Sequence, residues 1–254
     1  MNFLSFGIST QCKNKERVNQ DSIGSVTVKS PSGKPVITGA IADGVSMSFR
    51  GEVASYNTVR FIMNWAAEYF SENDFDSSQI VTEFDRLITK INHNINYFAK
   101  TNNKKAPKEG HSKYSSTTLC CAITDGEKIL YFCVGDSSIY ELKAYHTSHI
   151  TGSGKHTDAA GRLTSYIGGI EDGRLDIRYI ENYFDQSSVY FLCSDGMSNQ
   201  ISFNLEDADF HRFNQRLLDA DAKNNGISVL EGMTEYVLSR NETDDITALV
   251  IKSI

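Results

Sequence analysis

Aspartates recur at the ends of apolar runs in this 254-residue chain. Asp43 follows the run 36–42 and precedes Gly44. Asp136 follows the run 130–134 and Gly135, and Asp195 follows 189–194 and precedes Gly196. Asp244 and Asp245 come just before the run 246–251, and Asp21 just before 23–28. Taken singly, an Asp-Gly after a strand is a turn, and Asp244-Asp245 merely solvates a loop. Five such positions change the weighing. If the strands share one end of a sheet assembly, their carboxylates converge, and converging carboxylates repel unless protonated or bridged by cations. Oxygen donors in a chain with few histidines favour Mg²⁺, Mn²⁺ or Ca²⁺ over zinc.

The elements that must position these residues follow from periodicity. Residues 3–8, 23–28 and 36–42 are short apolar or β-branched runs bounded by turn residues such as Pro31-Ser32-Gly33, and they read as strands. The period then changes. Val53, Val59, Ile62, Met63, Ala66, Ala67 and Phe70 predict an amphipathic helix over 51–70. A second stripe, including Ile80, Phe84, Ile88, Ile91 and Ile95, predicts a helix over 78–100. A polar, lysine-rich loop is expected over 101–113, followed by strands at 117–124, 128–134 and 138–142, with Asp125-Gly126 as a hairpin turn. Residues 143–162 have no period and read as a loop. Strands at 175–180 and 189–193, helices at 205–220 and 228–239, and a strand at 246–251 complete the chain. Strands, two helices, strands, two helices and a strand make an α+β order, and strands from both ends are needed to finish a sheet.

Composition narrows the partners. The net charge is −7 with no lysine/arginine block, which argues against nucleic acid. An acidic protein that takes anionic phosphorylated substrates needs a local positive charge, and a bound divalent cation supplies one. Cys12, Cys120, Cys121, Cys133 and Cys193 form no CxxC pair and read as small buried apolar residues in a reducing compartment. Residues 1–7 lack the charged and apolar regions of a secretion signal, and no apolar run has the length of a membrane span. The expectation is a soluble, cytoplasmic protein.

Seven short segments carry a more specific signal. They are Arg17-Val18-Asn19-Gln20-Asp21-Ser22; Ile41-Ala42-Asp43-Gly44 with Gly51-Glu52-Val53-Ala54-Ser55; Ser116-Thr117-Thr118-Leu119; Val134-Gly135-Asp136-Ser137; Leu163-Thr164-Ser165-Tyr166-Ile167-Gly168; Phe191-Leu192-Cys193-Ser194-Asp195-Gly196; and Asp244-Asp245-Ile246-Thr247. In this order and spacing the chain resembles the metal-dependent protein phosphatases of the PP2C (PPM) family, in their compact bacterial-type form. The resemblance implies a four-layer αββα sandwich, two antiparallel sheets flanked by helix pairs, with residues 1–254 as a single domain and metals in a cleft at one end. It implies that Asp43 bridges two cations, Mn²⁺ or Mg²⁺, that the Gly44 carbonyl ligates one, and that Asp195 and Asp244 complete the other. Asp21 would hold metal-bound waters, with Gln20 where many members have Glu. Asp136, with Asp195, would support a third, weaker metal.

The implied activity is hydrolysis of phosphoserine and phosphothreonine monoesters by attack of a metal-bridging hydroxide. Such hydrolysis is extremely slow unassisted. Two cations about 3.5–4 Å apart lower the pKa of a water between them and screen the phosphoryl oxygens. The implied partner is a phosphorylated protein, opposing a Ser/Thr kinase, with the phosphatase acting as a monomer. Two other readings stay open: a phosphatase-like regulatory module with little turnover, and a hydrolase of small phosphorylated molecules.

This chain departs from the family pattern at several points. Val45 occupies the slot of a histidine general acid found in some relatives, so water is expected to protonate the leaving group. Arg17 is the candidate to grip the substrate phosphate, although it stands one residue closer to Asp21 than usual. An ordinary surface arginine is the alternative, and Arg50 is a weaker substitute. Ser138 replaces a structural arginine. The segment 143–162 is shorter than the family's flap-bearing region, which implies a more open cleft. His146, His149 and His156 lie there and read as solvated loop histidines.

Overall fold

The computed structural model describes residues 1–12, 18–103, 114–152, 156–160, 162–169 and 175–254. Its strands are β1 (Phe3–Thr10), β2 (Asp21–Lys29), β3 (Pro35–Asp43), β4 (Leu119–Thr124), β5 (Lys128–Val134), β6 (Ser138–Leu142), β7 (Thr147–His149), β8 (Arg178–Tyr183), β9 (Val189–Cys193) and β10 (Ile246–Ser253). Its helices are α1 (Gly51–Glu72), α2 (Ser77–Asn102), α3 (Asp195–Ser198), α4 (Ala208–Asp219) and α5 (Lys223–Ser239). The strands form two five-stranded antiparallel sheets, ordered β1-β10-β9-β6-β7 and β2-β3-β4-β5-β8.

Side-chain alternation explains why these strands stack into layers. A strand points successive residues to opposite faces. In β3 and β4, Ile37, Ile41, Cys120 and Ala122 face the other sheet, where they meet Ile139, Leu192, Leu249 and Ile251 in the central core. The intervening Val36, Ala40, Leu119, Cys121 and Ile123 face away and bury against α1 and α2 through Ile62, Phe70, Ile80, Phe84 and Ile88. The second sheet does the same with α4 and α5, through Phe191, Cys193, Phe210, Leu217, Leu230 and Met233. With both faces covered, β4 and β9 are buried at every position. The result is the expected αββα sandwich.

Asp76 and Asp207 accept N–H groups of the first turns of α2 and α4, so these two helices carry side-chain N-caps. All five cysteines are buried free thiols, as their apolar surroundings predict.

Three elements differ from the sequence reading. The three-residue β7 lies inside the segment expected to be loop, where it pairs with β6. The four-residue α3 had no periodic signal. The strand expected at 175–180 is displaced to Arg178–Tyr183, an edge strand whose outer residues Glu181, Asn182 and Tyr183 are exposed. Leu175 is still buried, but it packs outside the strand. No helix among the described residues is long and apolar enough to cross a membrane.

Phe84 joins α2 to the sheet. Its ring stacks on Phe132 at 4.0 Å and meets Trp65 edge-on at 5.6 Å. Phe84→Ala is expected to lose about 3–5 kcal/mol of unfolding free energy in a urea titration.

Candidate active site

Asp21 is the first residue of β2 and Asp43 the last of β3, and the two are cross-strand partners. Like charges placed directly opposite on a sheet repel. The other sheet adds two more carboxylates at the same end. Asp195 opens α3 directly after β9, and Asp244 lies in the turn just before β10, the strand that pairs with β9. Gly196 lets these two segments meet. A Cβ at this position would stand 2.2 Å from the Asp245 carbonyl oxygen and 3.4 Å from the Asp244 Cβ.

The electrostatics register the convergence. Burial pushes the Asp43 carboxyl well above the usual carboxylate range, and the charges of Asp21, Asp195 and Asp244 push it further. Part of Asp43 still reaches solvent, but protein crowds its remaining sides. Asp21 lies deeper, and burial pushes its pKa up to about 7. The Thr247 and Ser194 hydroxyls stand near enough to favour its ionised form, yet neither of its oxygens has a hydrogen bond of full geometry. Asp136, Asp195 and Asp244 are half-buried. Among the described residues no group of three or more His, Cys, Asp or Glu side chains is placed to hold a metal ion as the side chains stand.

Backbone contacts hold this end of the sandwich in register. The Asp43 carbonyl accepts from the Thr118 N–H at 2.8 Å and from the Thr117 hydroxyl at 2.8 Å. The Asp43 N–H donates to Thr118 Oγ1 at 3.1 Å. Gly44 donates to the Gln20 carbonyl at 3.1 Å, and the Ser55 hydroxyl of α1 donates to the same oxygen at 2.5 Å. A side chain at 44 would strike the Gly51 carbonyl group at 2.6 Å, so Gly44 is needed for α1 to start against it.

Sequence reasoning missed the role of Asp245. It is 1% exposed, and its carboxylate accepts the Cys12 N–H at 3.0 Å and the Gln20 N–H at 2.8 Å. It therefore holds both flanks of the segment that leads from β1 to β2. The doubled acid before the last strand was the only signal, and it did not separate a clamp from a solvated turn.

The remaining candidates are distributed as follows. Asp136 joins the group indirectly, since the neighbouring Ser137 hydroxyl is 3.0 Å from Thr118 Oγ1, which contacts Asp43. Arg17 lies outside the described residues. Arg50 precedes α1 in the left-handed region at φ 56°, and its exposed side chain pairs with Glu52. Val45 donates its N–H to Ser116 and contributes no ionisable group. His146 and His149 bond Ser148 and Thr151, and His149 also stacks on Tyr140. The expectation of solvated histidines fails at His156, whose side chain is 11% exposed and bonded to the Gly135 backbone. Burial holds its pKa below the usual imidazole value.

The sequence profile of the family described as Protein phosphatase 2C matches residues 8–234. The chain belongs to the protein phosphatase 2C family. No curated protein sequence matches it. Solved structures with the same fold include the serine/threonine phosphatase Stp1 of Staphylococcus aureus, with 17% identity, a TM-score of 0.71, and coverage of 100% of this chain and 96% of that one. The S. agalactiae serine/threonine phosphatase has 17% identity, a TM-score of 0.72 and full coverage of both chains, 100% and 100%. The Mycobacterium tuberculosis serine/threonine phosphatase PstP/Ppp has 16% identity, a TM-score of 0.69 and 98% coverage of each chain.

Two outcomes are expected for this 2C phosphatase. Gly196→Ala forces α3 away from Asp244-Asp245 and should lose about 1–3 kcal/mol of stability by calorimetry. Asp43→Asn removes one of the opposed charges. In chelator-treated protein at alkaline pH, where both carboxyls are ionised, it should raise Tm by about 2–4 °C, as a gain of about 1 kcal/mol would do. A lower Tm would show that Asp43 is not under repulsion.

Proposed function

We propose that the chain is a metal-dependent protein-serine/threonine phosphatase, a single-domain cytoplasmic monomer that removes phosphate from proteins phosphorylated by a Ser/Thr kinase. The observation that carries this reading is the opposition of Asp21 and Asp43 across β2 and β3, with the charges of Asp195 and Asp244 reaching Asp43 from the other sheet.

The residues fit a hard cation. Every donor is an oxygen, and the buried oxygens of Asp21 lack full hydrogen bonds. Positive charge between the carboxylates would turn their repulsion into attraction. Asp43 would hold two ions, Mn²⁺ or Mg²⁺, aided by the Gly44 carbonyl on one side and by Asp195 and Asp244 on the other. Asp21 would hold metal-bound waters, and Asp136 with Asp195 would hold a third ion. When bound, these ions supply a hydroxide at neutral pH and neutralise the phosphoryl oxygens during in-line displacement.

The protein's own contribution is placement. Thr117 and Thr118 fix the Asp43 backbone on both its carbonyl and its N–H, so the carboxylate is directed before any ligand arrives. Asp245 fixes Gln20, and with it the start of β2 at Asp21. In the reaction the water oxygen forms a bond to phosphorus and the bond from phosphorus to the serine or threonine oxygen breaks. Val45 offers no proton, so water protonates the departing oxygen. Arg17 would bind the phosphate as a bidentate partner.

Wild-type protein should release phosphate from p-nitrophenyl phosphate and from phosphoserine and phosphothreonine peptides only with Mn²⁺ or Mg²⁺ present. Chelation should abolish turnover, and Asp43→Asn and Asp195→Asn should each reduce kcat by at least about 100-fold. Equal turnover in wild type and both variants would refute the assignment. Mn²⁺ binding without turnover on any phosphopeptide would instead mark a regulatory module, and turnover confined to small phosphorylated molecules would change the substrate class.

A further inference from the structure

His156 contacts the Asp136 turn twice. Its N–H donates to the Gly135 carbonyl at 3.1 Å, and its ring Nδ1 accepts the Gly135 N–H at 3.0 Å. A ring nitrogen that accepts an N–H carries no proton of its own, so the hydrogen of the neutral imidazole sits on Nε2. Nε2 lies 3.3 Å from Asp176 Oδ2, an acceptor that suits this tautomer. The His156 carbonyl accepts the Thr164 N–H at 2.7 Å, which ties the residue to its own segment as well. The side chain is largely buried, so neither contact with Gly135 is open to free competition from water.

The geometry has a direct consequence for Asp136. Both peptides that flank the Gly135 Cα are held by one residue, the first through its N–H and the second, leading into Asp136, through its carbonyl, so the turn has a single conformation. On the far side, Ser137 is held by Thr118, whose hydroxyl also accepts the Asp43 N–H. Asp136 is thus braced from both neighbours. One brace comes from His156 and the other from Thr118, just before β4.

We propose that His156 is a positioning residue, which in its Nε2–H tautomer clamps the Gly135 peptide and aims the Asp136 carboxylate at the cation cleft. This inference rests on the reading of Asp136 as a cation ligand. It gives His156 no contact with substrate and no part in proton transfer. It makes the segment carrying His156 a support for the acidic cleft, where the sequence had suggested only a shortened surface loop.

The test compares wild type, His156→Asn, His156→Phe and Asp136→Asn in the full chain. Asn keeps an acceptor near the place of Nδ1, while Phe fills the space without one. Amide hydrogen exchange at Gly135 should accelerate about fivefold in His156→Phe and stay near wild type in His156→Asn. Nitrogen-15 spectra of the imidazole in metal-free wild type should show an unprotonated Nδ1 and a protonated Nε2. The Mn²⁺ concentration for half-maximal p-nitrophenyl phosphate turnover should rise about 10-fold in His156→Phe, as in Asp136→Asn, with recovery in His156→Asn. Unchanged Gly135 exchange in His156→Phe, or a proton on Nδ1, would overturn the clamp. A Mn²⁺ curve shifted by Asp136→Asn but not by His156→Phe would overturn its role in aiming Asp136. If neither variant moves the curve, the Asp136 assignment is what fails, and exchange and tautomer still decide the clamp.

Discussion

Repulsion among carboxylates is the constraint around which this end of the molecule is built. Asp21 and Asp43 face each other across two paired strands, and the charges of Asp195 and Asp244 act on Asp43 from the opposite sheet. Left alone, such a group favours protonation or separation of its members. Separation is closed to the backbone, because both sheets run straight into the site, so protonation is favoured and the carboxyl pKa values rise. The structure therefore holds in place an arrangement whose repulsion raises the carboxyl pKa values at this end of the sandwich.

That tension is sustained by apolar packing elsewhere. Each sheet is buried on both faces, by the central core and by a helix pair. A sandwich of this kind keeps strand ends fixed because a slip of one residue would turn every side chain of the strand to the wrong layer. The aspartates occupy strand ends, where the alternation of apolar residues stops and no such penalty applies. Their positions are set by the cores without being part of them.

A second layer of control is polar and local. Asp43 is held through its main chain by Thr117 and Thr118, and the approach to Asp21 is held by Asp245. The Gly135 turn is held by His156. These bonds join the main chain of Asp43, Gln20 and Gly135 to the side chains of Thr117, Thr118, Asp245 and His156. Buried polar groups with fixed partners rigidify their surroundings, and here they are concentrated at the end of the sandwich where the aspartates lie.

How much of this was legible in the chain depends on the range of the forces involved. Alternation and helical stripes depend on near neighbours, so β5, β6 and β9 have the limits that the sequence implies, and Phe84 and Ile88 lie on the expected face. The positions of Asp43, Asp195 and Asp244 at strand ends were equally visible. The short β7 and α3 were not, because three or four residues carry no period, and β8 was misplaced because an edge strand facing solvent shows polar residues. Only tertiary structure could pair Asp21 with Asp43, bury Asp245 against Cys12 and Gln20, and bring His156 to Gly135. Those contacts join residues up to 233 positions apart. Whether a given aspartate caps a turn, clamps a backbone or faces a like charge is decided by partners that its own neighbourhood does not contain.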